Sequence, residues 1–185
     1  MNRLFTLATT GLLALFALSA PAHAIDRVVK VQLVLEATPT VSASAIYASG
    51  DSVGGEITLS NALREKFAVN DLRNGTATIR SVVITDLGKQ SANLDVIFFD
   101  TVPANGFGDN VPITVTDVDL VNVIGVAQIT TWVAFNDSSV GIAHDLYIPF
   151  ALGTGTKLYA AIVSRGTPTY ASTSDLTLRL GLTLD

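Results

Sequence analysis

The sequence has no cysteine and few other reactive side chains: two histidines, one methionine and one tryptophan among 185 residues. Without cysteine the chain can form neither a disulfide nor a thiolate metal site. A conventional zinc centre needs three or four closely spaced ligands, which two histidines cannot supply here. Only His144 lies beyond the N-terminal 24 residues, so a Ser-His-Asp hydrolase would depend on it alone. We therefore predict a protein that is not an enzyme and holds no cofactor.

Basic residues are also scarce, with 11 Lys and Arg against 16 Asp and Glu and a formal net charge of −5. The Lys and Arg residues do not form a cluster. Binding to nucleic acid depends on grouped cations that neutralise phosphates. The charge pattern therefore predicts no nucleic-acid partner.

An apolar run lies near the N-terminus. Residues 1–24 combine a basic start at Arg3, an apolar stretch over residues 12–18 and an Ala22-x-Ala24 ending, as in a secretory signal peptide. The stretch is too short for a spanning helix, which needs about 20 apolar residues. We predict cleavage after Ala24 and no stable membrane association afterwards. The remaining chain, residues 25–185, would be secreted or periplasmic unless it belongs to a virion.

Alternation with a period of two dominates residues 25–185. In Arg27–Glu36 and again in Asp175–Thr183, apolar side chains occupy every second position, as in a strand buried on one face. Further short segments rich in Val, Ile, Thr and Phe lie between Gly, Asn, Asp or Pro clusters. These strand predictions cover residues 56–60, 75–86, 93–100, 113–116, 119–124, 126–135, 146–150 and 157–164.

No long helical period interrupts this pattern, which argues against a parallel sheet with crossover helices. Residues 61–67 predict one or two helical turns at most, and residues 138–144 predict a turn. The sequence therefore predicts a single all-β domain over residues 25–185. Its expected architecture is an antiparallel β-sandwich of jelly-roll or Greek-key type, with about 8–10 strands.

Calcium is the metal for which oxygen ligands are available. Asp109 is placed in a loop, while Asp117 and Asp119 are two residues apart and would share one face of a strand. No Asp-x-Asp-x-Asp-Gly loop with a distal Glu accompanies them. These three aspartates are the calcium candidates, and the simpler interpretation is that Asp117 and Asp119 mark the solvent side of a strand.

Other polar residues predict structural roles. Asp95 and Asp100 bracket an apolar run, so we interpret them as strand-end residues rather than the paired acids of a glycosidase. His144 precedes Asp145, but neighbours along a strand point to opposite faces. Gly50–Gly55 lacks the Lys-Ser/Thr ending and the following helix of a phosphate-binding loop, so it predicts a turn.

The segment Ala127–Phe135 is apolar on both strand faces, around Ile129, Trp132 and Val133. A strand of this kind suits an oligomer interface or a sheet that is covered on both sides. These three residues are the interface candidates, and we expect a homo-oligomer.

Several segments, taken in order, resemble small tailed-phage virion proteins of the capsid decoration or cement type. That group shows a Y-A-x-G-D segment, an L-D-x-I-F-F-D strand and a final S-R-G-T-P-T-Y segment before an L-x-L-R-x-G strand. The matching residues here are Tyr47–Asp51, Leu94–Asp100, Ser164–Tyr170 and Leu176–Gly181, and the likeness spans nearly all of residues 25–185. The resemblance implies a jelly-roll-like sandwich that sits on the lattice of a major capsid protein, often as a dimer or trimer.

The leader-like N-terminus sets this chain apart from virion proteins, which assemble in the cytoplasm. Three interpretations follow: an exported, host-encoded relative; an exported lattice or filament subunit; or an apolar segment that is kept and buried in an assembly. The leading hypothesis is a non-enzymatic structural protein that self-associates or docks on a protein lattice. The alternative is an exported module that binds carbohydrate or a surface through Asp109, Asn110, Asp117 and Asp119 with calcium.

Overall fold

The computed structural model describes residues 32–61, 76–151 and 157–184, and within them the chain forms ten β-strands and one short helix. The predicted all-β class is confirmed. The leader predicted at residues 1–24 lies outside the described residues, as does all but the first residue of the helix predicted at 61–67. In chain order the elements are β1 (Gln32–Ala37), β2 (Ser52–Asn61), β3 (Thr76–Asp86), β4 (Leu94–Phe99), α1 (Asp117–Leu120), β5 (Val123–Ile129), β6 (Trp132–Ala134), β7 (Ser139–Ala143), β8 (Ile148–Ala151), β9 (Leu158–Ser164) and β10 (Leu176–Leu184).

The strands form two sheets in which all strand pairs are antiparallel. One sheet has the order β1-β10-β3-β7-β6, with β8 pairing the first half of β3 where β7 pairs its second half. The other sheet has the order β2-β9-β4-β5. The two sheets join where β1 pairs the last residues of β2. The architecture is thus an antiparallel β-sandwich.

The core lies between the sheets and is filled by alternate residues of each strand. Strand β10 is central in its sheet, between β1 and β3, and its leucines at 176, 178, 180 and 182 are all buried. The alternation predicted for residues 175–183 is therefore confirmed in detail. The sheets approach closely at Gly141, where a Cβ would lie only 2.4 Å from the Ile129 side chain of the opposite sheet.

The sequence predictions are wrong at several places between residues 113 and 143. Residues 113–116 form no strand, and Asp117–Leu120 is one helical turn rather than part of a strand, because Thr116 caps it by accepting a hydrogen bond from the Asp119 N–H. The predicted strand 126–135 breaks at residues 130 and 131 into β5 and β6, which belong to different sheets. The turn predicted at 138–144 is strand β7. Its inward positions carry the small residues Ser139 and Gly141, so the usual inward apolar signal is missing.

Candidate functional site

The main surface feature of the sandwich is an open edge built from one uncharged segment. Residues 121–135 contain no charged residue and no proline, and they supply both β5 and β6. Strand β5 ends the strand order on one side and β6 ends it on the other, so neither outer edge pairs with a described strand. An unpaired strand edge presents a row of free N–H and C=O groups.

Natural edge strands are protected by charges, prolines, bulges or very short length. Strand β6 has only three residues, so its edge is short. Strand β5 has seven residues and one bulge near its start, because Gly125 and Val123 pair with the consecutive residues Phe98 and Phe99 and leave Ile124 between them. From Gly125 to Ile129 the pairing is regular, and this stretch is the least protected edge in the described part of the sandwich.

Exposed apolar side chains continue the β5 edge backwards into α1. Val118, Leu120 and Val121 are 60–80% exposed, and Val126 in β5 itself is 46% exposed. We call the residues 118–129 the β5 edge surface. Several exposed apolar side chains within one short segment are typical of a protein interaction site.

Asp119 fixes the part of this surface that lies on α1. Its carboxylate accepts hydrogen bonds from the Ala104 N–H (2.7 Å) and the Thr116 hydroxyl (2.7 Å). These hydrogen bonds, first of all the one from Ala104, lower the pKa of Asp119. The buried, ionised carboxylate therefore ties α1 to the loop after β4, and its neighbours point their apolar side chains to solvent.

The three interface candidates lie in different environments. Ile129 is completely buried in the core of its own chain, so it has no surface to offer a partner. Trp132 is half-buried, and its Nε1 atom is buried with no hydrogen-bond partner among the described residues. Val133 is 51% exposed and pairs with Val140 on the outer face of its sheet. Of the three, Val133 is the side chain most accessible to another molecule.

The calcium candidates do not assemble into a site. Asp109 already accepts from the Tyr47 hydroxyl (2.7 Å), the Gly54 N–H (2.6 Å) and the Ser42 hydroxyl (2.5 Å). Asp117 is exposed while Asp119 is buried, so the two carboxylates do not share a face as a strand would require. Among the residues that the structure describes, no group of three His, Asp or Glu side chains could hold a metal ion.

Asp109 instead positions the loops above β2. Its hydrogen bond from Gly54 falls at a bulge where Gly54 and Gly55 have no partners on β9. Gly54 has φ +80° and a Cβ there would lie 2.3 Å from the Pro39 side chain, so only glycine suits this position. The predicted turn at Gly50–Gly55 is thus a turn followed by a bulge within β2.

The same segment contains a Gly-x-Ser-x-Gly spacing, Gly50-Asp51-Ser52-Val53-Gly54, which sequence reasoning read only as a turn. This spacing places the nucleophile of many hydrolases on an exposed strand-to-helix turn. Here Ser52 begins a strand, its side chain is fully buried, and its hydroxyl has no partner among the described residues. Ser52 is therefore not accessible to a substrate.

The remaining carboxylates with catalytic potential are paired with nearby side chains. Asp95 is buried in β4 and bonds to Arg165 (2.7 Å between Oδ2 and Nε), while Asp100 accepts from the adjacent Thr101 hydroxyl at 3.1 Å. His144 and Asp145 approach to 2.6 Å although they are neighbours in sequence. The expectation that they point apart is wrong, because the chain has left β7 and Asp145 has φ +57°. Both side chains are largely exposed, which is not the setting of a catalytic dyad.

A second polar group is buried behind β3 and β10. Asp86 is 1% exposed; its Oδ2 accepts from the Ser91 N–H (2.8 Å), while Oδ1 has no partner among the described residues. Asp175 is also buried and accepts from two backbone N–H groups. A methyl group on Gly88 would lie 3.4 Å from Asp86 Oδ1 and 3.0 Å from Asp175 Oδ2, so the two carboxylates flank one point. Burial, with a smaller contribution from Asp175, raises the pKa of Asp86.

Three of the four segments that carry the phage resemblance contact one another. The rings of Tyr47 and Tyr170 contact edge to face, with centroids 5.7 Å apart. The Ser164 N–H donates a hydrogen bond to the Asp51 carbonyl oxygen (2.9 Å), and Arg165 reaches Asp95 of the Leu94–Asp100 segment. These three segments therefore help to hold one another, which is a structural role inside the domain.

Comparison of the chain with protein-family models and with curated proteins gave no match. Among the residues that the structure describes, no helix has both the length and the apolar character that a membrane crossing requires.

Proposed function

We propose that this chain is a non-enzymatic structural protein that self-associates through the β5 edge surface, with a second copy of the chain as its partner. The observation that carries the proposal is the edge strand β5, which has no charge and no proline and is flanked by exposed apolar side chains. Addition of a strand to such an edge is a common mode of protein association.

The lack of charge favours a second copy over a different partner. A two-fold axis perpendicular to β5 would bring the same strand of the second copy alongside in the antiparallel direction and close the assembly at two chains. In such an assembly every edge residue occurs twice, once on each chain, so a charge on the edge would bring two like charges into one interface. Residues 121–135 contain none, and the pairing would meet no such repulsion.

The exposed side chains would supply the apolar area that strand pairing alone lacks. A stable interface buries about 1,200–2,000 Å² in total, more than a single pair of short strands provides. Val118, Leu120 and Val121 lie immediately before β5 and extend the surface on one side. Asp119, fixed beneath them, would keep these residues in place.

This role agrees with the sequence resemblance to tailed-phage decoration proteins, which act through protein contacts on a capsid lattice. It also agrees with the use of the acidic residues. Asp109, Asp119 and Asp175 are occupied by hydrogen bonds that hold loops.

Light scattering after size-exclusion chromatography tests the proposal on the purified protein. We expect the mass of a dimer for the wild type and of a monomer for Val126→Lys, which introduces one positive charge from each chain into the apolar interface. Leu87→Lys is the matched control, because Leu87 is a comparably exposed apolar residue in the loop after β3. It should leave the mass unchanged.

Amide hydrogen exchange identifies the edge itself. Residues 125–129 should exchange slowly in the wild type and faster in Val126→Lys, while the central strand β10 stays protected in both. A wild type that is monomeric at every concentration, or a Val126→Lys variant of unchanged mass, would contradict the proposal.

A further inference from the structure

A cleft lies on the outer face of the β1-β10-β3 sheet, away from the β5 edge surface. Its volume is about 470 Å³, within the range of about 300–1,000 Å³ that is usual for small-molecule sites. We call it the bulge cleft. Its lining includes Thr78, Arg80, Ser81, Tyr147, Gly181 and Thr183.

A β-bulge directs Arg80 into this cleft. Ile79 pairs with Leu182 and Ser81 pairs with Gly181, so Arg80 has no cross-strand partner on β10. The neighbour on the other side of β3 changes at the same point: β8 pairs the residues up to Ile79, and β7 pairs those from Val82 onwards. Bulges are frequent beside binding sites because they turn a side chain away from the regular pleat.

The turn between β7 and β8 supplies an aromatic wall. The Leu146 N–H donates to the Arg80 carbonyl oxygen (3.1 Å), which holds this turn against the bulge. Tyr147 follows, with its ring centroid 4.7 Å from the Arg80 guanidinium carbon. The Tyr147 side chain is 74% exposed, so its ring remains available for contact with a ligand.

Arg80 also has unused hydrogen-bonding capacity. Of the three arginines that the structure describes, Arg165 and Arg179 form ion pairs with Asp95 and Glu36, whereas no described carboxylate lies within ion-pair distance of Arg80. A guanidinium presents five N–H donors in a planar fork that matches the geometry of a carboxylate. Thr78, Ser81 and Thr183, whose side chains carry hydroxyl groups, line the same cleft.

We infer that the bulge cleft binds an acidic saccharide, with Arg80 holding the sugar carboxylate, the threonine and serine hydroxyls bonding to the sugar hydroxyls, and Tyr147 stacking on the ring. A charged fork, several hydroxyls and an exposed aromatic face are the groups that such a ligand requires together. The inference is independent of the oligomer, because the cleft and the β5 edge surface share no residue.

Calorimetric titration with glucuronate tests the inference, with glucose as the neutral counterpart. Hydrogen bonds to a charged group predict that the wild type binds glucuronate about ten- to a hundredfold more tightly than glucose. Arg80→Gln should abolish this difference. Arg179→Gln is the matched control, because Arg179 lies on the outer face of the same sheet but is already paired, and it should behave as the wild type.

Two variants of Tyr147 separate stacking from charge. Tyr147→Phe keeps a ring and should keep glucuronate affinity, whereas Tyr147→Leu should weaken it. Arg80 and Tyr147 are both exposed, so unchanged melting temperatures will show that their variants are folded. The inference is overturned if the wild type does not bind glucuronate, if it binds glucose equally well, or if Arg179→Gln loses as much affinity as Arg80→Gln. Glutamate binding as tightly as glucuronate would overturn the saccharide assignment.

Discussion

Replacing Asp86 with asparagine should stabilise the protein at neutral pH. The Asp86 side chain is almost completely buried, and its Oδ1 atom has no hydrogen-bond partner among the described residues. The change replaces the buried carboxylate with a neutral amide, while the retained oxygen can still accept from the Ser91 N–H. It removes one of two like charges, whose interaction contributes to the raised pKa of Asp86.

The expected gain is about 1–3 kcal/mol, the cost of leaving one buried polar atom unsatisfied. For a chain of this size each kcal/mol raises the melting temperature by about 2–4 °C. The pH dependence follows from the raised pKa of Asp86. Below about pH 4 the carboxyl is protonated in both folded and unfolded states and carries no penalty, and the penalty grows as pH rises through the folded pKa. The gain from Asp86→Asn should therefore be largest at pH 7 and shrink towards pH 4.

Thermal unfolding of wild type and variant at several pH values measures this difference. Asp95→Asn is the control, because Asp95 is a buried aspartate with a cationic partner, Arg165, and the same chemical change should destabilise there. A destabilised Asp86→Asn variant at pH 7, or a gain that does not change between pH 4 and pH 7, would refute the reasoning.

Three further predictions concern the edge, the core and the tyrosines. Asp119→Ala should weaken self-association, measured by the concentration dependence of the mass, because it removes the hydrogen bond that holds α1 to Ala104. In the wild type the lowered pKa of Asp119 preserves this hydrogen bond down to about pH 4, and the bond is lost as the pH falls further. Leu180→Ala should cost about 2–5 kcal/mol in urea unfolding, whereas Thr177→Ala on the other face of β10 should change stability by less than about 0.5 kcal/mol. Burial raises the pKa of Tyr47 and Tyr170, so absorbance titration should show two of the four tyrosines ionising only well above pH 10 or on unfolding.

The sequence predicts the strands best where one face is buried and the other is exposed to solvent. Residues 176–182 show this alternation clearly, and their leucines fill the core as expected. Strand β7 escapes prediction because its pattern is inverted: the inward Gly141 makes room for Ile129, and the apolar Ile142 faces outwards. Local alternation carries no information about which sheet will supply the facing side chain.

The surface features depend on pairings that are distant in sequence, so sequence reasoning reached them only in part. The sequence alone shows that the segment around Val133 is uncharged. The strand order is needed to show that β5 and β6 lie at the ends of the two sheets. The bulge at Arg80 arises from the register with Gly181, about a hundred residues away, and no pattern near Arg80 predicts it. The calcium prediction failed for a local reason: the sequence predicts that Asp117 and Asp119 share one face of a strand, but both lie in a capped helical turn.

The position of β10 has a consequence for how the protein acquires its structure. This last described strand lies between β1 and β3, so its neighbours come from the beginning and the middle of the chain. Until residues 176–184 are synthesised, β1 and β3 each lack one of their neighbouring strands, and the four leucines of β10 are missing from the core. Contacts of such long range make folding slow. We therefore expect a polypeptide stopped before β10 to remain unfolded, so that folding waits until residues 176–184 have been synthesised.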